Sequence, residues 1–221
     1  MSFAKNYHRW ILKEFLPYMG NCVAEVGAGV GNFSGLILET DVTRLVAFEP
    51  STNMFPVLRE ALSMDERAIA INGFFGSEYH NYSFDSVFYI NVLEHIEEDA
   101  RELANVYDAI SPEGYLLLFV PALPWLYSEL DKQVGHFRRY TKNNLLRLIK
   151  QSGFSVVKVR YFDIAGIIPW YIYFTLRKNS ISERNVSLYD RIVVPIMSTI
   201  EQMVSPPIGK NVLLVARKPH S

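Results

Sequence analysis

The segment Val23-Ala-Glu-Val-Gly-Ala-Gly-Val-Gly31 limits what this chain can fold into more than any other stretch. Cys22 to Val26 is short, apolar and partly β-branched, as expected of a strand buried on both faces. Glu25 breaks that pattern, because a carboxylate there is costly to bury unless a cation or a hydrogen-bond donor meets it. Gly27, Gly29 and Gly31 then allow a sharp turn and a close approach of backbone to ligand, since no Cβ intervenes. A strand, a glycine turn and a helix together form the nucleotide-binding corner of an open α/β sheet.

The spacing narrows the ligand. A dinucleotide fingerprint reads G-x-G-x-x-G, whereas here the third glycine comes one residue early and Asn32 takes the expected place. No Gly-Lys-Ser/Thr follows, so a phosphate-cradling loop is excluded. An acid before the glycines repels pyrophosphate and favours a ligand with an ammonium or sulfonium centre. A second short strand, Arg44-Leu-Val-Ala-Phe-Glu49, ends in another acid about 20 residues on, where such folds grip ribose hydroxyls. Pro50-Ser51 then stops the strand.

With these residues in place, the chain resembles the class I S-adenosylmethionine-dependent methyltransferases. Ala24 to Gly31 is similar to their first motif and Val46 to Pro50 to their second. Phe84 to Ile96, containing Asn91-Val-Leu-Glu-His95, is similar to the third, and Ser111 to Pro121 to the fourth. The openings Asn6-Tyr7-His8-Arg9-Trp10 and Gly135-His136-Phe137-Arg138-Arg139-Tyr140-Thr141 resemble a bacterial small-molecule and glycan- or lipid-pathway branch. The resemblance implies S-adenosylmethionine as cofactor. It also implies that Tyr7, Glu25, Gly27, Ala28, Gly29 and Gly31 lie about its methionine end, with Asn91 and Val92 nearby. Glu49 and Pro50 would lie at the ribose, and Gly73, Phe74 and Phe75 at the adenine, where the family's usual second acid is missing. Core packing is the competing role for the two phenylalanines.

The expected fold is α/β: a Rossmann-like, seven-stranded, mostly parallel sheet with helices on both faces and, by the resemblance, an antiparallel last strand. Strands are expected near 22–26, 45–49, 68–72, 85–90, 115–120, 156–160 and 211–217. Helices are expected over Lys5 to Met19 and near 31–39, 53–62, 97–110 and 142–152. The 221 residues suit a single domain over 1–221, and two connections, near 121–141 and 161–210, are longer than packing needs. Both are rich in aromatic residues and read as a cap over the substrate. Apolar residues at Leu188, Ile192, Val193, Ile196, Ile200 and Val204 form a helical stripe that suits packing on the sheet or a dimer contact; a lipid-facing role is the alternative.

Methyl transfer asks the protein to bind, orient and exclude water, with a base needed only if the acceptor must lose a proton. His136 is the candidate base, with Arg138 as substrate anchor through forked recognition of an anion. In an extended segment the two would share a face. The competing reading pairs Arg138 or Arg139 with Asp131 or Glu129 to hold a lid. His95 beside Glu94 is a further candidate base, or else part of a structural pair. No metal is expected.

A net charge of −1 gives no reason to expect nucleic-acid binding, and the Asn/Asp-Pro-Pro-Tyr segment used on base amino groups is absent. The single cysteine, Cys22, excludes an intrachain disulfide. The start of the chain does not resemble a signal peptide, and cytoplasmic residence is the default expectation. The expected acceptor is a small or lipid-linked molecule, with peripheral membrane contact at most and a monomer or homodimer as the assembly. The alternatives are a non-catalytic S-adenosylmethionine-binding scaffold on the same fold and, disfavoured by glycine spacing and Glu25, a nicotinamide-dependent oxidoreductase.

Overall fold

A computed structural model describes residues 4–176 and 183–220. Seven strands form one sheet in the order β3-β2-β1-β4-β5-β7-β6. They are β1 (Cys22–Val26), β2 (Arg44–Phe48), β3 (Ala68–Ile71), β4 (Phe84–Ile90), β5 (Ile110–Pro121), β6 (Ser155–Phe162) and β7 (Asn211–Arg217). β1 pairs in parallel with β2 and β4, and β7 runs antiparallel between β5 and β6. The chain reverses its winding between β1 and β4, which opens a crevice beyond their carboxyl ends.

Alternation along the central strands feeds two cores. Phe88, Leu117, Phe119, Leu213 and Val215 face one side, together with Trp10, Phe15, Phe33 and Ile37 from helices α1 (Lys5–Phe15) and α2 (Asn32–Leu38). Val87, Tyr89, Leu116, Leu118 and Leu214 face the other, against Leu103 and Val106 of α4 (Asp99–Ala109) and Leu145 and Ile149 of α6 (Lys142–Gln151). Leu58 and Leu62 of α3 (Phe55–Leu62) pack on Ala28 and Ala47 beside β2.

The first helix ends earlier than expected: α1 stops at Phe15 and tightens into a 3₁₀ turn over Leu16–Tyr18, with Pro17 at its start. β5 begins before the expected range, at Ile110, passing Pro112 and Glu113 with Glu113 at φ +67°. Two short helices were not expected: a 3₁₀ stretch Ser77–Tyr82 and α5 (Glu129–Gln133), which Ser128 and Asp131 close as a capping box.

Residues after β6 form a helical cap: α7 (Ile167–Trp170), a π-helical stretch Tyr171–Leu176, α8 (Glu183–Leu188), a second π-helical stretch Tyr189–Val193, and α9 (Val194–Met203) begun by Pro195. The cap is tied down by buried acids. Asp190 accepts the backbone N–H groups of Asn6 (3.1 Å) and Tyr7 (2.8 Å), supplying from far along the chain the cap that α1 lacks locally. Glu201 accepts the N–H groups of Asp163 and Ile164 at 3.2 and 2.9 Å. The stripe Leu188, Ile192, Ile196, Ile200 and Val204 does not pack on the sheet: each residue is half exposed or more. No helix among the described residues is long and apolar enough to cross a membrane.

Candidate functional site

The glycine turn sits on the floor of a cavity of about 1030 Å³ at the β1–β4 crevice. Gly27, Gly29 and Gly31 all adopt positive φ (70°, 59° and 84°), but for different ends. A Cβ on Gly27 would stand 2.5 Å from a Val92 methyl carbon, and one on Gly31 would press 3.1 Å from Leu58. Gly29 has open space where a Cβ would project, so the turn leaves room for a ligand at that position. Its N–H donates to Glu49 Oε2 at 2.7 Å, and the Ser51 N–H donates to Oε1 at 2.8 Å. Two backbone donors thus hold the Glu49 carboxylate at the cavity wall with lone pairs to spare. Glu25 is not in that wall. It lies beneath the turn, bonded to the Ser34 hydroxyl. Burial, with Glu49 adding to it against the Ser34 bond, pushes its carboxyl up to about 8.

Asn91 is the hinge of the site. It follows β4 at φ +54°, a left-handed conformation that asparagine tolerates better than other side chains, and its N–H donates to Phe119 O at 2.8 Å. It lines the first cavity and also a second, of about 230 Å³, with Tyr7, Glu94, His136, Arg139, Lys210 and Asn211. Behind the wall of this second cavity the buried Asp131 carboxylate lies 2.8 Å from His136 Nδ1 and accepts from Arg139 Nε at 2.9 Å. Burial of Asp131 pushes its carboxyl up, but the bonds from His136 and Ser128 and the Arg139 guanidinium outweigh this and hold it near 2. A carboxylate can only accept, so Nδ1 of His136 carries a hydrogen, which leaves Nε2 as the acceptor in the neutral imidazole.

Nε2 lies 3.9 Å from Glu94 Oε1. Glu94 is fully buried, neither of its carboxylate oxygens has a hydrogen-bond partner, and burial raises its carboxyl to about 8. His95 stacks edge-on against His136 with ring centroids 4.5 Å apart. Burial and the neighbouring His136 lower its imidazole. Glu94, His95 and His136 bring one ligand atom each within 4.8 Å of one another, a grouping that could hold a divalent cation and that no spacing in the sequence announced.

A methyltransferase domain family matches residues 4–159, well over half of the chain. The chain belongs to the class I S-adenosylmethionine-dependent methyltransferases. Solved methyltransferases share the fold. One from Archaeoglobus fulgidus is 17% identical, with 97% of this chain and 94% of that one covered at a TM-score of 0.65. One from Mesorhizobium loti is 16% identical, with 97% and 98% covered at 0.65. The 1,6-didemethyltoxoflavin-N1-methyltransferase of Burkholderia thailandensis, solved with its acceptor and S-adenosylhomocysteine, is 17% identical, with 98% and 78% covered at 0.62. Among curated proteins, none matches the chain.

Ten of the residues singled out from sequence line the first cavity: Gly27, Gly29, Glu49, Pro50, Gly73, Phe74, Phe75, Asn91, Val92 and His95. The phenylalanine pair splits. Phe74 is 79% exposed at the rim, while Phe75 is buried, its ring centroid 5.2 Å from that of Phe48. Glu25, Ala28 and Gly31 support the turn from behind, with the Ala28 N–H on Phe48 O at 2.9 Å. Tyr7 lies in the second cavity, its hydroxyl 3.1 Å from both Asp163 Oδ2 and Asn211 Oδ1.

The pairing of His136 with Arg138 on one face is corrected. Residues 136–139 belong to no strand, so strict alternation does not apply. Arg138 turns away to Asp99 (2.7 Å) and the Glu97 carbonyl (2.7 Å), and it lines none of the three cavities described here. Arg139 takes the partner Asp131. Sequence reasoning missed Lys210 and Asn211 at the start of β7, because only the sheet order brings them beside Asn91 and Tyr7.

Proposed function

We propose that the chain transfers a methyl group from S-adenosylmethionine to a small-molecule acceptor carrying a proton on its nucleophilic atom. His136 would take that proton. The cofactor supplies an electrophilic methyl group on sulfonium sulfur. The fit rests on the open space over Gly29, the Glu49 carboxylate fixed at the wall and the exposed face of Phe74 at the rim. Glu49 would accept from the ribose hydroxyls, and Asn91 would stand between the methyl-donor cavity and the acceptor cavity. The observation that carries the reading is the Asp131–His136 pair. Asp131 fixes the tautomer and leaves Nε2 as the acceptor in a cavity that meets the first at Asn91. The Burkholderia neighbour, solved with 1,6-didemethyltoxoflavin bound, is consistent with a small-molecule acceptor.

The test measures S-adenosylhomocysteine release over a panel of phenolic and heterocyclic acceptors, alongside calorimetric cofactor affinity. His136→Gln should slow turnover by about 10²- to 10⁴-fold with cofactor affinity unchanged. Full activity in that variant removes His136 as base, and failure of S-adenosylmethionine to bind the wild type removes the whole reading.

A second reading is carried by Glu94, whose two buried oxygens lack partners beside two imidazoles. A divalent cation held there would polarise the acceptor oxygen in place of proton removal by His136. Turnover that survives exhaustive chelation, with no metal found by mass spectrometry, rules this out.

A further inference from the structure

Beyond the second cavity lies a third, of about 730 Å³, which shares Trp170 and Lys210 with it. Its character is different. Where the second cavity is walled by Glu94, His136, Arg139 and Asn211, the third is walled by Trp170, Tyr173, Phe174, Val186, Leu188 and Ile192. Trp170 forms the boundary. Its ring packs under the Arg139 guanidinium, 4.5 Å from the centroid, and its Nε1–H donates to Leu126 O at 3.2 Å. Lys210 marks the polar side of the same boundary, held 3.0 Å from Asp163 Oδ2. The order along the protein is therefore methyl-donor cavity, polar cavity with the Asp131–His136 pair, then an apolar chamber.

The chamber is built from the two π-helical stretches of the cap, which together contribute Tyr173, Phe174, Tyr189, Ile192 and Val193. Such widened turns are frequent at functional sites. Its volume is within the range of small-molecule sites. At its mouth Leu188 and Ile192 are 57% and 52% exposed, and they continue into the exposed Ile196 and Ile200. Apolar surface left open at the end of a polar reaction cavity favours a ligand with two unlike ends.

Resting on the proposed methyl transfer, we infer that the acceptor is an amphiphile: a hydrogen-bonding head in the cavity of His136 and an apolar chain in the chamber beneath the cap. The head presents its proton-bearing atom to His136 Nε2 and the donor side, and the chain is received by Trp170, Phe174 and Val186. The shared chemistry admits two sources, a free amphiphile or one drawn from a lipid surface on which Leu188, Ile192 and Ile196 rest.

The test uses the full chain saturated with S-adenosylhomocysteine and a 4-alkylphenol series from propyl to nonyl, below micellar concentrations, by calorimetry. Affinity should rise about fourfold per added methylene until the chamber is full. Val186→Trp should flatten that dependence while S-adenosylhomocysteine still binds, which also reports that the variant is folded. A wild-type affinity independent of chain length overturns the inference, as does a series unchanged in Val186→Trp. Either result with cofactor binding intact leaves the methyl-transfer reading standing, whereas loss of cofactor binding in the wild type removes that reading first. Cosedimentation with phosphatidylglycerol vesicles, wild type against Ile192→Asp/Ile196→Asp, separates the sources. Binding lost in the double variant assigns a lipid surface, and no binding by the wild type assigns a free amphiphile.

Discussion

Glu25→Gln tests whether the glycine turn prefers a cationic ligand. In the free protein Glu25 is buried beneath the turn with its carboxyl near 8, so it is about 90% protonated at pH 7. A positive charge settling on the turn about 6 Å away, at an effective dielectric of about 20, favours the carboxylate by about 2.8 kcal/mol, or roughly two pKa units. The bound carboxyl then titrates near 6, and binding at pH 7 expels about 0.8 proton. Affinity should accordingly rise about tenfold between pH 6 and 7.5, a window in which the ligand's own amino group, with a pKa of about 7.7 or above, stays largely charged. Calorimetry of S-adenosylhomocysteine in two buffers of different ionisation enthalpy reads the proton count. Glu25→Gln should abolish both the proton release and the pH slope. The same substitution has a stability signature of definite sign. The folded carboxyl lies above its unfolded value of 4.5, so the unfolded chain deprotonates first and the wild type loses stability as pH rises from there to about 8. At pH 7 the loss is at most about 3 kcal/mol, which the glutamine should recover. Wild-type binding without proton release, or a glutamine variant that releases as many protons, would refute the coupling.

Other substitutions separate the parts of the site. Glu49→Ala removes the anchor of the Gly29 and Ser51 N–H groups, and calorimetric cofactor affinity should fall about 100-fold. Asp131→Asn leaves the Arg139 guanidinium, 1% exposed, without its anion, and denaturant unfolding should show a loss of about 3–5 kcal/mol. Arg138→Ala breaks a pair with Asp99 that is about a third exposed on the arginine side, so it should cost at most about 1 kcal/mol and leave turnover unchanged. A raised acceptor KM at unchanged stability would return Arg138 to an anchoring role.

The half of the candidate site around the glycine turn is legible in the sequence because its constraints are local. Gly27 and Gly29 need positive φ, Glu49 must end a strand about 20 residues later, and Asn91 must leave β4 in a left-handed turn. Each demand writes itself into adjacent residues. The half around His136 depends on long-range placement. His136 stands out by residue type and Asp131 by its closeness in sequence, yet no periodicity says that 136–139 runs as irregular chain or that Asp131 bonds both His136 and Arg139. Lys210 and Asn211 reach the cavity only because β7 enters between β5 and β6. Glu94 read as half of a pair with its neighbour, and its isolation is visible only once burial removes solvent from both oxygens.

The cap shows why the stripe of residues 188–204 does not pack on the sheet. Periodicity places the apolar stripe inward when the opposite face is polar and solvated. Here the inward face carries Asp190, Val194 and Glu201, exposed by 5%, 1% and 2%. Both acids are satisfied by backbone donors from elsewhere in the chain: Asp190 by the first turn of α1, and Glu201 by Asp163 and Ile164 just after β6, with Arg160 alongside. Burial of a carboxylate is tolerable when several directed donors meet it, and those donors fix orientation more sharply than apolar contact can. The cap is therefore held in place by polar bonds on its inner face. That arrangement frees Leu188, Ile192, Ile196 and Ile200 from anchoring and leaves them at the mouth of the apolar chamber, where an acceptor with an apolar chain would enter.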